Sequence, residues 1–205
     1  MQLNRGTFPG MFGGTGLPEA MKRPLQIYGS PSLRRKARRV AEVDREVRKL
    51  ASDMLDTMHL ENGIGLAAEQ VGADIALCVV DIPPQYDRGP SGRRINPGLR
   101  MPLVLINPRI ADSSAQTVVA EEGCLSFPGI YVPIRRAAEI KVQYLSLENE
   151  PTDILCRGLL ARAIQHEVDH LDGILLIDHM PVLRRLLLSP RLLQLKRIAS
   201  QDGST

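Results

Sequence analysis

In the run Gln165-His166-Glu167-Val168-Asp169-His170, two histidines stand four positions apart around a glutamate. On a helix both imidazoles project from one face, one turn apart. At that spacing two neutral ring nitrogens can reach one metal ion, with Glu167 beside them as a candidate general base. The chain has four histidines in all, and half of them are here. The same spacing also suits a buried helix whose histidines are satisfied within a core, so a third ligand must decide the chemistry.

The obvious metal chemistry for this motif is a zinc protease, and the sequence tests it. One protease class takes its third ligand from a downstream glutamate, yet no Glu follows Glu167. The other extends the motif to H-E-x-x-H-x-x-G-x-x-H; Gly173 is in register, but Leu176 fills the last position and cannot bind a metal. The remaining strong ligand is upstream, in Glu121-Glu122-Gly123-Cys124-Leu125-Ser126. A thiolate and two imidazoles make three protein ligands and leave a position open, the layout of a catalytic site. Taken alone, Cys124 reads equally well as a buried inert cysteine. A third segment, Gly63-Ile64-Gly65-Leu66-Ala67-Ala68-Glu69-Gln70, has small residues against which a ligand backbone can lie. Its Gln70 offers an amide that can face an oxyanion.

Taken together, these three segments closely resemble the peptide deformylase family, whose patterns are G-x-G-x-A-A-x-Q, E-G-C-x-S and H-E-x-x-H. All three stand intact here, in that order, with 42 positions from Cys124 to His166. The resemblance runs from about Leu25 to Met180. It implies a metal-dependent hydrolase that removes the N-formyl group from the N-terminal formyl-methionine of nascent polypeptides, releasing formate. It also implies one divalent metal ion per chain held by Cys124, His166 and His170: Fe(II) in the cell, with Zn, Ni or Co suiting the same donors. Glu167 would take a proton from the attacking water and return it to the leaving amine. Gln70 and the Leu125 N–H would meet the developing oxyanion. Substrate would add as a strand along the backbones of Ile64, Gly65 and Gly123, with Tyr131 and Arg162 near the pocket for its side chain. Glu69 departs from the pattern, placing a carboxyl where a small or neutral residue is expected. Two other readings are an endopeptidase and a metal-stabilised, non-catalytic protein that docks on ribosomes. Glu167 argues against the second, since a structural site has no use for a carboxylate beside its ligands.

The chain as a whole fits an enzyme of one domain. Its 205 residues are long enough to bury a core, with a hydrophobic fraction of 43%. Tryptophan is absent and aromatics are 3%, which removes the stacking surface that single-stranded nucleic acid binders use. DNA is therefore not an expected partner. No run of about 18 apolar residues offers a membrane span. Three cysteines, Cys78, Cys124 and Cys156, form no disulfide framework and suit a reducing, bacterial-type cytoplasm; an organellar address stays open. Arg184, Arg185, Arg191, Lys196 and Arg197 fall in a C-terminal stretch without acidic residues. Such a stretch suits either a solvated helix face or ribosome association.

The elements that must position these residues are legible from periodicity. An apolar stripe through Val43, Val47, Leu50, Met54, Leu55 and Met58 predicts a helix over 42–60, stopping at Asn62-Gly63. Ile75 to Ile82 reads as a buried strand, and 83–101 as a long surface loop. Further strands are expected at 103–106, 116–121 and 139–145, a helix at 155–171, and a last helix at 181–198 interrupted near Ser189-Pro190. Strands first and a core helix late give an α+β fold, with short antiparallel sheets packed around a central buried helix that carries H-E-x-x-H. Residues 1–23, Gly-rich and without a signal-peptide core, read as a flexible extension, with Met21 an alternative start. Residues 24–180 then form the catalytic domain and 181–205 a basic C-terminal helix or tail.

Overall fold

A computed structural model describes Met1 and residues 22–202; apart from Met1, Lys22 and Arg23, the expected N-terminal extension lies outside the described residues. The first helix, α1 (Arg45–Leu60), starts where the Asp44 side chain accepts the Val47 N–H at 2.8 Å. It ends where Asn62 adopts a left-handed conformation (φ 55°) and the Gly63 N–H returns to Met58 O at 2.8 Å.

Seven strands follow: β1 (Gly65–Ala67), β2 (Leu77–Val80), β3 (Leu103–Ser113), β4 (Thr117–Gly123), β5 (Tyr131–Ala137), β6 (Glu139–Leu145) and β7 (Pro151–Arg157). Five of them form an antiparallel sheet in the order β1-β2-β3-β6-β7, and β4 pairs with β5 in a separate ribbon. The sheet is covered on both faces, which explains why β2 is apolar at every position. Leu77 and Val79 pack with Val47, Leu50, Met54 and Met58 of α1. Cys78 and Val80 point the other way, into the core shared with the helix α2 (Gly158–Leu171).

α2 is the central element, in contact with the strands of both sheets. It starts one residue after β7 ends, at Gly158 (φ +60°), a left-handed residue at the strand-to-helix corner. The stretch 155–157 therefore belongs to β7, not to the helix expected over 155–171. Periodicity could not separate the two, because Leu155 and Cys156 are apolar in either element. At its far end the Gly173 N–H bonds His170 O and the Ile174 N–H bonds Asp169 O, a Schellman closure. A Cβ on Gly173 would stand 2.8 Å from Arg34 O, so glycine is required there on two counts. The protease-like register of Gly173 is thus a helix stop.

The C-terminal segment is two helices, α3 (Val182–Leu187) and α4 (Ser189–Asp202), broken just before Pro190. Leu192 and Leu195 of α4 pack with Phe127, Ile134 and Ile177. In contrast, Val182, Leu183, Leu186 and Leu187 face solvent. No helix among the described residues is long and apolar enough to cross a membrane.

Ile164 is fully buried at the α2–sheet contact. Ile164→Ala should lower unfolding free energy by about 2–5 kcal/mol, through lost burial plus the cavity left behind. Urea denaturation followed by circular dichroism measures this.

Candidate active site

Cys124 follows β4 directly, and His166 and His170 lie one turn apart on α2, so the β4–α2 contact brings the three together. One donor atom from each lies within 4.8 Å of the other two, and all three side chains are buried. His170 Nε2 is 3.2 Å from Cys124 Sγ. His166 Nδ1 is engaged by Glu122 Oε2 at 2.9 Å, which leaves its Nε2 facing the cluster with no partner among the described residues. An orphaned, buried imidazole nitrogen beside a thiol and a second imidazole fits a metal ion and little else.

Electrostatics divide the three cysteines. Burial pushes the Cys156 thiol up to about 12 and the Cys78 thiol well above its usual range, so both are neutral core side chains. Burial also opposes ionisation of Cys124, but the neighbouring His170 and His166 outweigh it and hold the thiol well below its usual range. Only Cys124 is a ready thiolate.

Glu122 organises the other side of the cluster. Its carboxylate is 0% exposed and takes Nε and Nη2 of Arg136 at 2.9 and 3.0 Å and Nη1 of Arg162 at 2.7 Å. Arg136 reaches on to Asp169, which also contacts His179. Burial alone would raise the Glu122 pKa, but the bonds from His166 and Arg136 hold it far below the ordinary carboxylate range. For His166, burial and the nearby amino terminus oppose the proton, while contacts with Cys124 and Glu122 carry its pKa up to about 9. Glu122 stands inside the E-G-C-x-S pattern without a role legible from sequence. Arg136 lies outside every motif, although Val132, Ile134 and Arg136 form the buried face of β5. An arginine in phase with two apolar residues was the available signal.

The glycine-rich segment lies on the cluster's opposite flank. Gln70 Oε1 accepts the Ala67 N–H at 2.9 Å, which turns its Nε2 toward Ser126 Oγ (3.1 Å) and Cys124 Sγ (3.4 Å). Leu125 sits in the turn closed by the Phe127 N–H on Cys124 O, its side chain packed in the α1 core. Gly123 ends β4 opposite Tyr131. Gly65 is fixed by crowding: a Cβ there would stand 2.3 Å from Glu167 Oε1.

Ile64 and Gly65 also hold a ligand-like residue, Met1. The Ile64 N–H donates to Met1 O at 2.9 Å. The Met1 amine donates to Gly65 O at 2.8 Å and to Glu167 Oε1 at 2.7 Å. Glu167 is itself fully buried; burial raises its pKa, but the amino terminus, His166 and His170 more than offset this and keep it ionised. The Met1 side chain lines a cavity of about 380 Å³ with Val118, Ala120, Leu159 and Arg162. Tyr131 is not among the cavity's lining residues.

Three converging donors, with a carboxylate at their side and a strand edge leading to them, have the layout of a catalytic rather than a structural metal site. Comparison with known proteins agrees. The sequence profile of the polypeptide deformylase family matches residues 22–185. A peptide deformylase of Picosynechococcus sp. is 45% identical over 159 residues, covering 77% of this chain and 79% of that protein. The crystal structure of peptide deformylase from Ehrlichia chaffeensis superposes with a TM-score of 0.76 at 34% identity, covering 86% of this chain and 98% of that one. A Met-Ala-Ser-bound peptide deformylase from Acinetobacter baumannii gives 0.70 at 31% identity, over 78% of this chain and 99% of its own. The chain belongs to the peptide deformylase family. It is an enzyme, a metal-dependent hydrolase that removes the formyl group from the N-terminal methionine of new polypeptides as formate.

Two outcomes test this electrostatic description. Glu122→Gln should weaken metal affinity about 10- to 100-fold by loosening His166; competition against a chromogenic chelator measures it. Glu69 is 1% exposed, neither carboxyl oxygen has a partner among the described residues, and burial raises its pKa from 4.5 to about 8. Between those values the folded chain keeps a proton that the unfolded chain has lost, so this group makes stability fall as pH rises, by about 1.4 kcal/mol per unit. Glu69→Gln should therefore match the parent near pH 4.5 and exceed it progressively up to pH 8. Paired thermal melts at equal metal loading across that range would show the divergence.

Proposed function

We propose that Cys124, His166 and His170 hold one divalent metal ion, Fe(II) in the cell, and that Glu167 moves the proton of the deformylation reaction. When bound, the metal supplies Lewis acidity, polarising the formyl oxygen and bringing water toward ionisation near neutral pH. The formyl C–N bond breaks, the water oxygen joins the formyl carbon, and the amine leaves with a proton. Glu167 accepts that proton from the water and delivers it to the amine. The observation that carries this reading is the Met1 amine, 2.7 Å from Glu167 Oε1: an N-terminal methionine sits with its nitrogen where a leaving amine would collect its proton.

The remaining roles rest on the same arrangement. The Gln70 amide, locked by Ala67 and Ser126, faces the developing oxyanion together with the Leu125 N–H. Loss of one such donor typically raises the barrier by about 3 kcal/mol. Substrate lies along the Ile64, Gly65 and Gly123 backbones, its methionine side chain in the cavity beside α2. The reaction takes place in a bacterial-type cytoplasm on N-formyl-methionyl nascent chains. The basic α3–α4 segment is the candidate contact with the ribosome, although Arg184 and Arg191 already donate to Tyr131 O and Pro128 O.

The purified protein loaded with Fe(II) or Ni(II) should release formate from formyl-Met-Ala-Ser and leave unformylated peptides intact. Glu167→Ala should keep its metal and lose several orders of magnitude in kcat. Bound metal with no formate release by the parent, or near-parental turnover by the variant, would refute these assignments.

A further inference from the structure

We infer that α3 is a contact with the surface of an anionic lipid bilayer: Val182, Leu183, Leu186 and Leu187 enter the bilayer interface while the basic residues of α3 and α4 meet the headgroups. This face shares no residue with the metal cluster or with the substrate contacts proposed beside it.

The four apolar side chains are 62–76% exposed. Val182 and Leu186 are one helical turn apart, as are Leu183 and Leu187, so the four make two adjacent rows on one side of α3. Leu193 of α4 is exposed as well and extends the patch, since it lines a groove of about 390 Å³ together with Val182 and Leu186. The orientation is fixed from behind: Arg184 Nη2 donates to Tyr131 O at 3.1 Å, and Leu192 and Leu195 of α4 are buried in the core. Charge of one sign surrounds the patch. From Met180 to Gln201 the chain carries Arg184, Arg185, Arg191, Lys196 and Arg197 and no acidic residue, and Arg185 and Lys196 stand at the groove itself. Exposed leucines ringed by cations are the composition of a helix that lies in a membrane interface, apolar side in the acyl boundary and cations at anionic headgroups. The contact is peripheral, because six residues cannot span a bilayer. Other occupants fit less of the surface. RNA would pair with the cations but leave the four apolar side chains in water. A peptide filling the groove would miss Leu183 and Leu187, which are not among its lining residues. A second copy docking through the same patch about a two-fold axis would set like charges against each other. A planar apolar phase under negative headgroups covers both rows and meets the charges.

The sequence has no tryptophan, so Leu187→Trp places a single such fluorophore on this face. In the full-length, Ni(II)-loaded protein its emission should shift to shorter wavelength on vesicles of phosphatidylglycerol and phosphatidylcholine in equal parts. Lipid brominated on its acyl chains should quench it. Vesicles of phosphatidylcholine alone should bind about tenfold more weakly or worse, and added salt should weaken binding to the anionic vesicles. In vesicle sedimentation, the double variant Leu183→Ser, Leu187→Ser should lower the partition coefficient by about tenfold or more. Its melting temperature and its formate release from formyl-Met-Ala-Ser should match the parent, since both side chains lie in solvent. No binding of the parent to anionic vesicles overturns the inference. So does binding that leaves the emission unshifted, or that survives in the double variant, because charge alone would then hold the protein. If the parent ignores vesicles and the double variant loses co-sedimentation with ribosomes, the face belongs to the ribosome and the inference fails.

Discussion

A carboxylate with no exposure to water must find its counter-charges inside the protein, and Glu122 finds three partners on two elements. Arg136 comes from β5; Arg162 and His166 both come from α2, one turn apart. The β4–β5 ribbon is thereby pinned to the helix by charge as well as by packing. Removing one member of such a cluster strands the others, at a cost of about 3–5 kcal/mol. The bond that docks the ribbon is also the bond that fixes the His166 ring. Fold and ligand geometry therefore cannot drift apart, since the interaction that places Cys124 beside α2 also aims His166 Nε2 at it.

The opposite flank is held by exclusion rather than attraction. Gly65 approaches α2 so closely that any side chain would overlap Glu167. That contact puts the Glu167 carboxylate beside the edge strand β1, where the Met1 amine reaches it at 2.7 Å. The sheet makes this approach rigid. β1 pairs with β2, and the faces of β2 are locked between α1 and α2. Positions fixed by packing on regular elements are more accurate than positions on loops, which is what proton transfer over a hydrogen-bond distance requires.

The ligand set and the fold class were legible because they are written locally. Histidines at i and i+4, a Gly-Cys at a strand end, and an α1 stripe ending at Asn62-Gly63 each carry their meaning within a few residues. What escaped was non-local or ambiguous. β1 is three residues long, too short for any period to register. β7 passes into α2 through an apolar stretch that suits both elements, and only the left-handed Gly158 marks the corner. Arg136 looks like an ordinary surface charge, and Arg162 only a neighbour of the pocket, until tertiary packing places both on Glu122. The occupation of the site by Met1 involves a residue more than 160 positions from Glu167, a pairing that no pattern in one sequence encodes.

Glu69 shows how the charge balance constrains the rest. The cluster already contains two anions, the Cys124 thiolate and the Glu167 carboxylate. One divalent cation would neutralise that pair and no more. A third buried anion at Glu69 would stand uncompensated, and Asp74, Glu167 and Asp172 all act against it. Its pKa rises to about 8, so at neutral pH the side chain beside Gln70 is a neutral acid. The departure from the family pattern thus adds no charge beside Gln70 at neutral pH, because burial removes the charge that the sequence seems to add.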